Sequence, residues 1–317
     1  MHSIKLIFLC GFLFVVNATV FSQSNTVYNF LKLDVDARSS AMAGSFVAVE
    51  NDVNSIFYNP AGLATLTSPK ASVGFFKYLL DINSGNAAYS QKYKDYGYFG
   101  AGVRYVNYGS FDKFDDEYNN IGTFNASDLA FYLGYANNYK DKISYGVNLK
   151  FIYSSYAEYK STAVAADIGV LYRVPENRFS VGASLLNAGA QLSTYSGTRE
   201  DLPLDLRIGF SKQLEYLPLT FNLGFSKLNE STDKFFDRLK NVIIGGEFNL
   251  SEFFDLRIGY NNLQRQDLKT GTTIGIGGFS AGLGFKYENK YTVDYSFNSL
   301  GKIGAAHRIN IGFNLKP

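Results

Sequence analysis

"ISYGVNLKFIYSSY", Ile143–Tyr156, alternates with a period of two, which is the signature of a β-strand. Ile143, Tyr145, Val147, Leu149, Phe151 and Tyr153 share one face, bulky and apolar along its whole length. Ser144, Gly146, Asn148, Lys150 and Ser154 lie on the other, which is small and polar with one charge. From Ile143 to Tyr153 the chain advances about 33 Å at ~3.3 Å per residue. Tilted by ~40°, that length spans about 25 Å, the height of the apolar band of an outer-membrane barrel. Tyr145 and Tyr153 then fall toward the two interfaces, where girdle aromatics sit. Lys150 facing lipid would cost about 2–4 kcal/mol near the midplane, so it points inward. The greasy face meets lipid, and the Ser/Gly/Asn/Lys face meets a wet or plugged interior. A soluble secreted sandwich shows the same alternation, so recurrence and connections must decide.

The pattern recurs fourteen times, over 71–78, 85–92, 97–108, 128–138, 143–155, 161–173, 178–187, 204–213, 219–228, 240–250, 254–262, 275–287, 290–298 and 306–316. Phe221, Leu223 and Phe225 alternate with Asn222, Gly224 and Ser226; Ile309, Ile311 and Phe313 alternate with Arg308, Asn310 and Gly312. Short connections (93–96, 139–142, 174–177, 214–218, 251–253, 288–289) alternate with mostly longer ones (79–84, 109–127, 156–160, 188–203, 229–239, 263–274, 299–305). All tight turns therefore sit at one end of the sheet. An even strand number with short turns at one end and longer loops at the other is the plan of a transmembrane barrel. The expected fold is all-β: a 14-stranded antiparallel transmembrane β-barrel with a small N-terminal helical plug.

Composition agrees. Aromatics make up 16% of the chain, all Tyr and Phe, with 30 glycines and six prolines, a balance that favours strands over helices. The formal net charge is +2, with no basic stripe of the kind that tracks nucleic acid. Met1–Ser22 has the anatomy of a secretory signal peptide: Lys5, the apolar run Leu6–Val16, then Val20 and Ser22 before Gln23. The sole cysteine, Cys10, lies inside that run, so after cleavage neither disulfides nor cysteine metal sites are expected. The destination read from these features is the outer membrane of a Gram-negative cell.

Residues 24–70 do not alternate. Ala37, Ala41, Ala43 and Gly44 form a small-residue cluster, and "FYNPAGLATL" follows at Phe57–Leu66. Asn59 suits an N-cap and Pro60 a first helical position, giving a short helix over 60–66. A fourteen-stranded barrel has a lumen too wide for side chains alone to fill. The segment is too apolar for a solvated tail, so it reads as a plug. The expected division is 1–22 leader, 23–70 plug and 71–317 barrel. Asn59, Pro60, Ala61 and Gly62 form the plug motif, and Ser144, Gly146, Asn148 and Lys150 face the lumen. Loss of the Lys150 charge should be tolerated unless a plug carboxylate pairs with it.

"YNPAGL" followed by fourteen alternating strands resembles the long-chain fatty acid transporter (FadL-like) superfamily. More narrowly, "YNFLKLDVDARSSAMAGSFVAVENDVNSIFYNPAGL", Tyr28–Leu63, resembles the opening of the PorV/PorQ family of the type IX secretion system. "DINSGNAAYSQKYKDYGYFGAGVRYVNYGSF", Asp81–Phe111, "LKFIYSSY", Leu149–Tyr156, and "LNAGAQLSTYSGTREDLPLDLRIGFSK", Leu186–Lys212, look more like PorQ than PorV. The end, "HRINIGFNLKP", departs from the pattern by lacking the terminal aromatic common in such barrels. The resemblance implies a non-enzymatic barrel in outer-membrane lipid that holds a cell-surface partner of the attachment complex, PorZ-like. The wider superfamily implies the alternative, a passive channel with a hydrophobic ligand in its lumen.

Catalysis finds little support. His307 is the one histidine outside the leader and has no fixed partner for a triad. Multi-His or Cys metal sites are excluded by count. "DKFDDE", Asp112–Glu117, lacks the ligand spacing of a calcium loop and reads as a solvated outer loop. "GIGGFSAGLG", Gly275–Gly284, has no Gly-Lys-Ser/Thr and is no phosphate loop. No cofactor is expected, and no nucleic-acid partner.

Overall fold

Mostly small or polar residues facing inward and mostly large apolar ones facing outward line the two sides of a sheet that closes on itself. The computed structural model describes residues 26–230, 235–268 and 276–315; the expected leader 1–22 lies outside the described residues. Fourteen strands run β1 (Lys70–Lys77), β2 (Asn83–Tyr93), β3 (Gly97–Phe114), β4 (Asn120–Tyr139), β5 (Ile143–Tyr156), β6 (Tyr159–Val174), β7 (Phe179–Ser193), β8 (Asp205–Gln213), β9 (Leu219–Phe225), β10 (Val242–Asn249), β11 (Phe254–Asn261), β12 (Phe279–Tyr287), β13 (Tyr291–Ser299) and β14 (Ala305–Asn314). Each pairs antiparallel with its sequence neighbours, and β1 closes on β14 with Val73 opposite Ile311. No helix among the described residues is long and apolar enough to cross a bilayer. The strands cross it, leaving no unpaired edge in hydrocarbon.

The register of β5 separates its two faces sharply. Leu149 is 65% exposed, while Ser144 and Asn148 are at 0% and Lys150 is buried. The neighbouring strands repeat the division: Phe131 and Leu133 on β4 and Val164 and Ile168 on β6 face outward.

Four expectations shift. β3 and β4 run on to Phe114 and back from Asn120, past a register shift between Asn107 and Ser110. Residues 109–127 are therefore mostly a protruding hairpin rather than a loop. Beyond the lipid band both faces of a strand meet water, so no alternation marks it. The acidic run closes that hairpin: the Asp115 carboxylate accepts from the Glu117 and Asn119 amides. β7 likewise continues to Ser193, and the connection expected over 156–160 is a tight turn at Ala157–Glu158. β12 starts at Phe279, and Gly275, its expected start, lies outside the described residues. His307 sits on the outer face, hydrogen-bonded to the Tyr295 hydroxyl at 2.7 Å.

Two short helices occupy longer connections, α2 (Phe235–Arg238) and α3 (Asn262–Asp267). Ahead of β1 the chain fills the lumen. It starts at the long-loop end, where Val27 N–H donates to Asp201 O. It then passes through a 3-10 turn (Asn29–Lys32), helix α1 (Ala37–Ala41) and 3-10 turns Val53–Phe57 and Pro60–Thr65, and reaches the tight-turn end before β1. Phe46, Ile56 and Leu63 are fully buried, and the core they form includes Val106, Ala130, Ile152 and Ala163 of the wall.

Candidate functional site: the plug and its seat

Asn59 has an extended backbone, and its Oδ1 accepts from Ala61 N–H at 3.1 Å, capping the turn that Pro60 opens. Its amide nitrogen does more than a cap. It donates to Val47 O at 2.8 Å within the plug and to Val170 O at 3.1 Å on β6. One side chain thus ties two plug segments to the wall. Gly62 lies against Ser55, where a Cβ would come within 2.6 Å of the Ser55 Cβ, so the two 3-10 turns stack directly.

The wall opposite is shaped to the plug backbone. A Cβ on Gly146 would stand 2.5 Å from the Pro60 carbonyl carbon, and one on Gly169 would stand 2.9 Å from the Pro60 ring. Across the lumen, a Cβ on Gly259 of β11 would meet the Ala43 nitrogen at 2.5 Å. Glycine is required here by close approach of two backbones. Between these contacts the wall donates hydrogen bonds to plug carbonyls: Asn148 Nδ2 to Ile56 O at 2.7 Å, Ser180 Oγ to Ala48 O at 2.8 Å and Ser184 Oγ to Tyr58 O at 2.8 Å. Ser144 reaches the plug indirectly, donating to Asn138 Oδ1, while Asn138 Nδ2 donates to Ala64 O. A buried segment without regular secondary structure must satisfy its backbone groups somewhere, and here turns within the plug are supplemented by the wall at Ile56, Ala48, Tyr58 and Ala64.

Lys150 lies further toward the long-loop end, and its partner is a wall carboxylate rather than a plug one. Lys150 Nζ sits 2.7 Å from Asp167 Oδ1 on β6 and 2.5 Å from Asn187 Oδ1 on β7. The ammonium also lies over the Tyr132 ring. Asp167 accepts further from Asn148 Nδ2 and Asn187 N–H. A bulge between β6 and β7 brings these groups together: pairing skips between Ala166 and Ile168, and Asn187 adopts a left-handed φ of 63°.

Opposite, ion pairs run from plug to wall. The Arg38 guanidinium makes a two-pronged contact with Glu247 of β10 (2.8 and 2.7 Å) and a third bond to Asp52 at 2.9 Å. Arg257 of β11 links Glu247 to Asp294 and Asp255, and Lys286 joins Asp255. These groups line a polar cavity of about 390 Å³ at the tight-turn end. Within the plug, Asp36 caps α1 by accepting from Ser39 N–H and Oγ. Burial and the charge of Asp52 push its carboxyl up to about 7, against the hydrogen bonds from Ser39.

Of the Asn59–Gly62 motif, Pro60 and Ala61 thus pack directly on Gly146; Asn148 meets the preceding turn at Ile56 O, Ser144 reaches Ala64 O through Asn138, and Lys150 is joined to the plug only through Asp167 and Asn148. Period-two alternation alone does not single out Arg38, Glu247, Arg257, Asp294, Asp167 and Asn187. The inner-face charges on β10, β11 and β13 were a usable signal, since each occupies an inward position of its strand.

The type IX secretion system protein PorV family matches residues 21–233. The chain belongs to that family. It is an outer-membrane β-barrel of type IX secretion, and the match covers the plug and the first nine strands. No curated protein matches the chain. Among solved structures, the CymD monoaromatic hydrocarbon channel is similar at a TM-score of 0.60 and 11% identity, over 89% of this chain and 98% of that one. The Ralstonia pickettii toluene transporter TbuX gives 0.58 and 11%, over 87% and 96%. The Pseudomonas putida toluene transporter TodX gives 0.57 and 12%, over 93% and 98%. At these identities the likeness is one of fold alone.

Proposed function

We propose that this PorV-family barrel is a non-enzymatic docking component of type IX secretion, PorQ-like, holding an attachment-complex partner of PorZ type at the cell surface. The observation that carries the reading is the β3–β4 hairpin. β4 has 20 residues, roughly 68 Å of strand and about 50 Å of height at ~40° tilt, against an apolar band of about 25 Å. The long-loop end of such barrels faces the exterior, so the hairpin stands some 20 Å clear of the membrane. Its far half presents Phe114, Tyr118 and Ile121, which are 55%, 89% and 54% exposed, beside Asp112, Asp115, Asp116 and Glu117. Exposed aromatics set among charges are the composition of a protein-binding patch. The plug, held at many points around the lumen, leaves the barrel suited to display rather than passage.

Replacing residues 112–119 with a short Asn-Gly turn tests this. The barrel should still assemble and migrate as a folded species on unheated gels, while co-purification of surface partners and cargo attachment are lost. Full attachment with the trimmed hairpin would remove the docking reading. A second reading, passive passage of hydrophobic small molecules, is favoured by the fold shared with hydrocarbon channels. It predicts bound lipids or hydrocarbons, rather than proteins, on mass spectrometry of the purified barrel.

A further inference from the structure

A second cavity, of about 510 Å³, opens at the long-loop end, away from the Asn59–Gly62 seat. Five parts of the chain build it. Tyr108 and Phe111 come from β3, Asp128 from β4, and Ser154, Tyr156 and Tyr159 from the β5–β6 corner. Tyr28 of the plug closes it from within, its hydroxyl 2.5 Å from Ser161 Oγ. Tyr195 of the 194–204 connection completes the ring. Phe124 backs the wall, stacked on Phe111 at 5.3 Å and edge-on to Tyr156 at 5.0 Å.

The lining holds six aromatic rings and a single charged group, Asp128, which is 7% exposed. Both of its oxygens already accept hydrogen bonds, Oδ2 from the Tyr108 hydroxyl at 2.6 Å and Oδ1 from Ser154. No Lys, Arg or His lies within ion-pair distance of it among the described residues. Arg104 acts on it electrostatically without pairing with it, its guanidinium lying over the Phe30 ring of the plug. A buried carboxylate without an ion-pair partner is costly to ionise, and a cation seated beside it would stabilise the charged form where a further donor would not.

From this we infer that the cavity binds a small organic cation, an ammonium bearing apolar substituents. Aromatic faces attract such a cation through their quadrupoles, and the attraction grows when the ring of aromatics excludes water. The rival occupants fit less well. An anion would meet Asp128 with no basic lining residue to offset it. A neutral polyol would bring donors to oxygens that already have them. A neutral hydrocarbon would take water from Asp128 and return no charge. The volume lies within the ~300–1,000 Å³ span of small-molecule sites, which suits a ligand with its own apolar bulk better than a single intruding side chain.

Phenyltrimethylammonium and tert-butylbenzene have nearly the same shape and differ by one charge. Calorimetric titration of both into the full-length barrel in detergent should show the cation binding at least tenfold more tightly. Asp128→Asn keeps the shape of the site and should erase that preference. Tyr195→Leu should weaken the cation several-fold with the barrel still migrating as folded, and it serves as the informative variant should Asp128→Asn fail to assemble. Equal or tighter binding of the neutral isostere, a preference that survives Asp128→Asn, or no binding of either compound would overturn the inference. Because the titration needs no secretion partner, it stands or falls separately from the docking function.

Discussion

Adding one methyl group at Gly146 is a sharp probe of how the plug is held. Its Cβ would stand 2.5 Å from the Pro60 carbonyl carbon, 2.6 Å from that oxygen and 2.7 Å from Ala61 N, all backbone atoms that no rotamer change can move. Ordinary contact begins near 3.4 Å, so plug and wall must part by about 1 Å. Overpacking of this kind costs about 1–3 kcal/mol. Fourteen paired strands carry the barrel, so the loss falls on the plug. Its local opening equilibrium should shift by about 5- to 150-fold, since each ~1.4 kcal/mol is a factor of ten. Hydrogen exchange followed by mass spectrometry should show that loss of protection over residues 53–66 in Gly146→Ala, with strand peptides unchanged. Gly224 provides the control. It also faces the plug, but its added Cβ would have Ser45 Cα 3.8 Å away, and Gly224→Ala should alter protection less than twofold. If the two variants behave alike, the plug is not held by close backbone approach and the account of the seat is wrong.

Lys150→Met strands the buried Asp167 carboxylate with only the Asn148 and Asn187 donors. It should lower barrel stability by about 3–5 kcal/mol, read as a shift in the urea midpoint of the folded gel band, with Lys150→Met/Asp167→Asn recovering much of it. Leu149→Arg, one residue away on the lipid face, should instead impair membrane insertion by about 2–4 kcal/mol near the midplane. Equal responses at the two sites would mean that the register is misread. Plug anchoring should also depend on pH through Asp36, whose carboxyl is raised from 3.8 to about 7 by burial and by Asp52. Between those values the unfolded segment is ionised while the seated plug keeps its proton. Seating is therefore strongest below pH ~4, weakens as pH rises toward 7 and levels off above it. Protection factors over residues 37–42 should be higher at pH 5 than at pH 8, and Asp36→Asn should flatten the difference; a rise in protection with pH would refute the assignment.

What could be read from the chain followed from what each residue faces. Leu149 and Asn148 differ because one meets lipid and the other a packed interior, and the same contrast on every strand gave the number of strands and their closure. The turn at Pro60 was legible because an N-cap and a proline act within a few residues of one another. Other features depend on alignments between distant segments. Glu247 and Arg257 are each visible as a charge on the inner face of its strand, but only the pairing of β10 with β11 sets them opposite one another, and only the path of the plug brings Arg38 to Glu247. The bulge that joins Lys150 to Asp167 and Asn187 rests on one left-handed residue that alternation does not mark. The projecting β3–β4 hairpin reads as a loop because, outside the membrane, nothing forces its faces to differ. A period-two pattern thus records a difference of environment across a strand, and it falls silent where the environment is the same on both sides. In this barrel that silence lies over the hairpin through which the proposed docking would act.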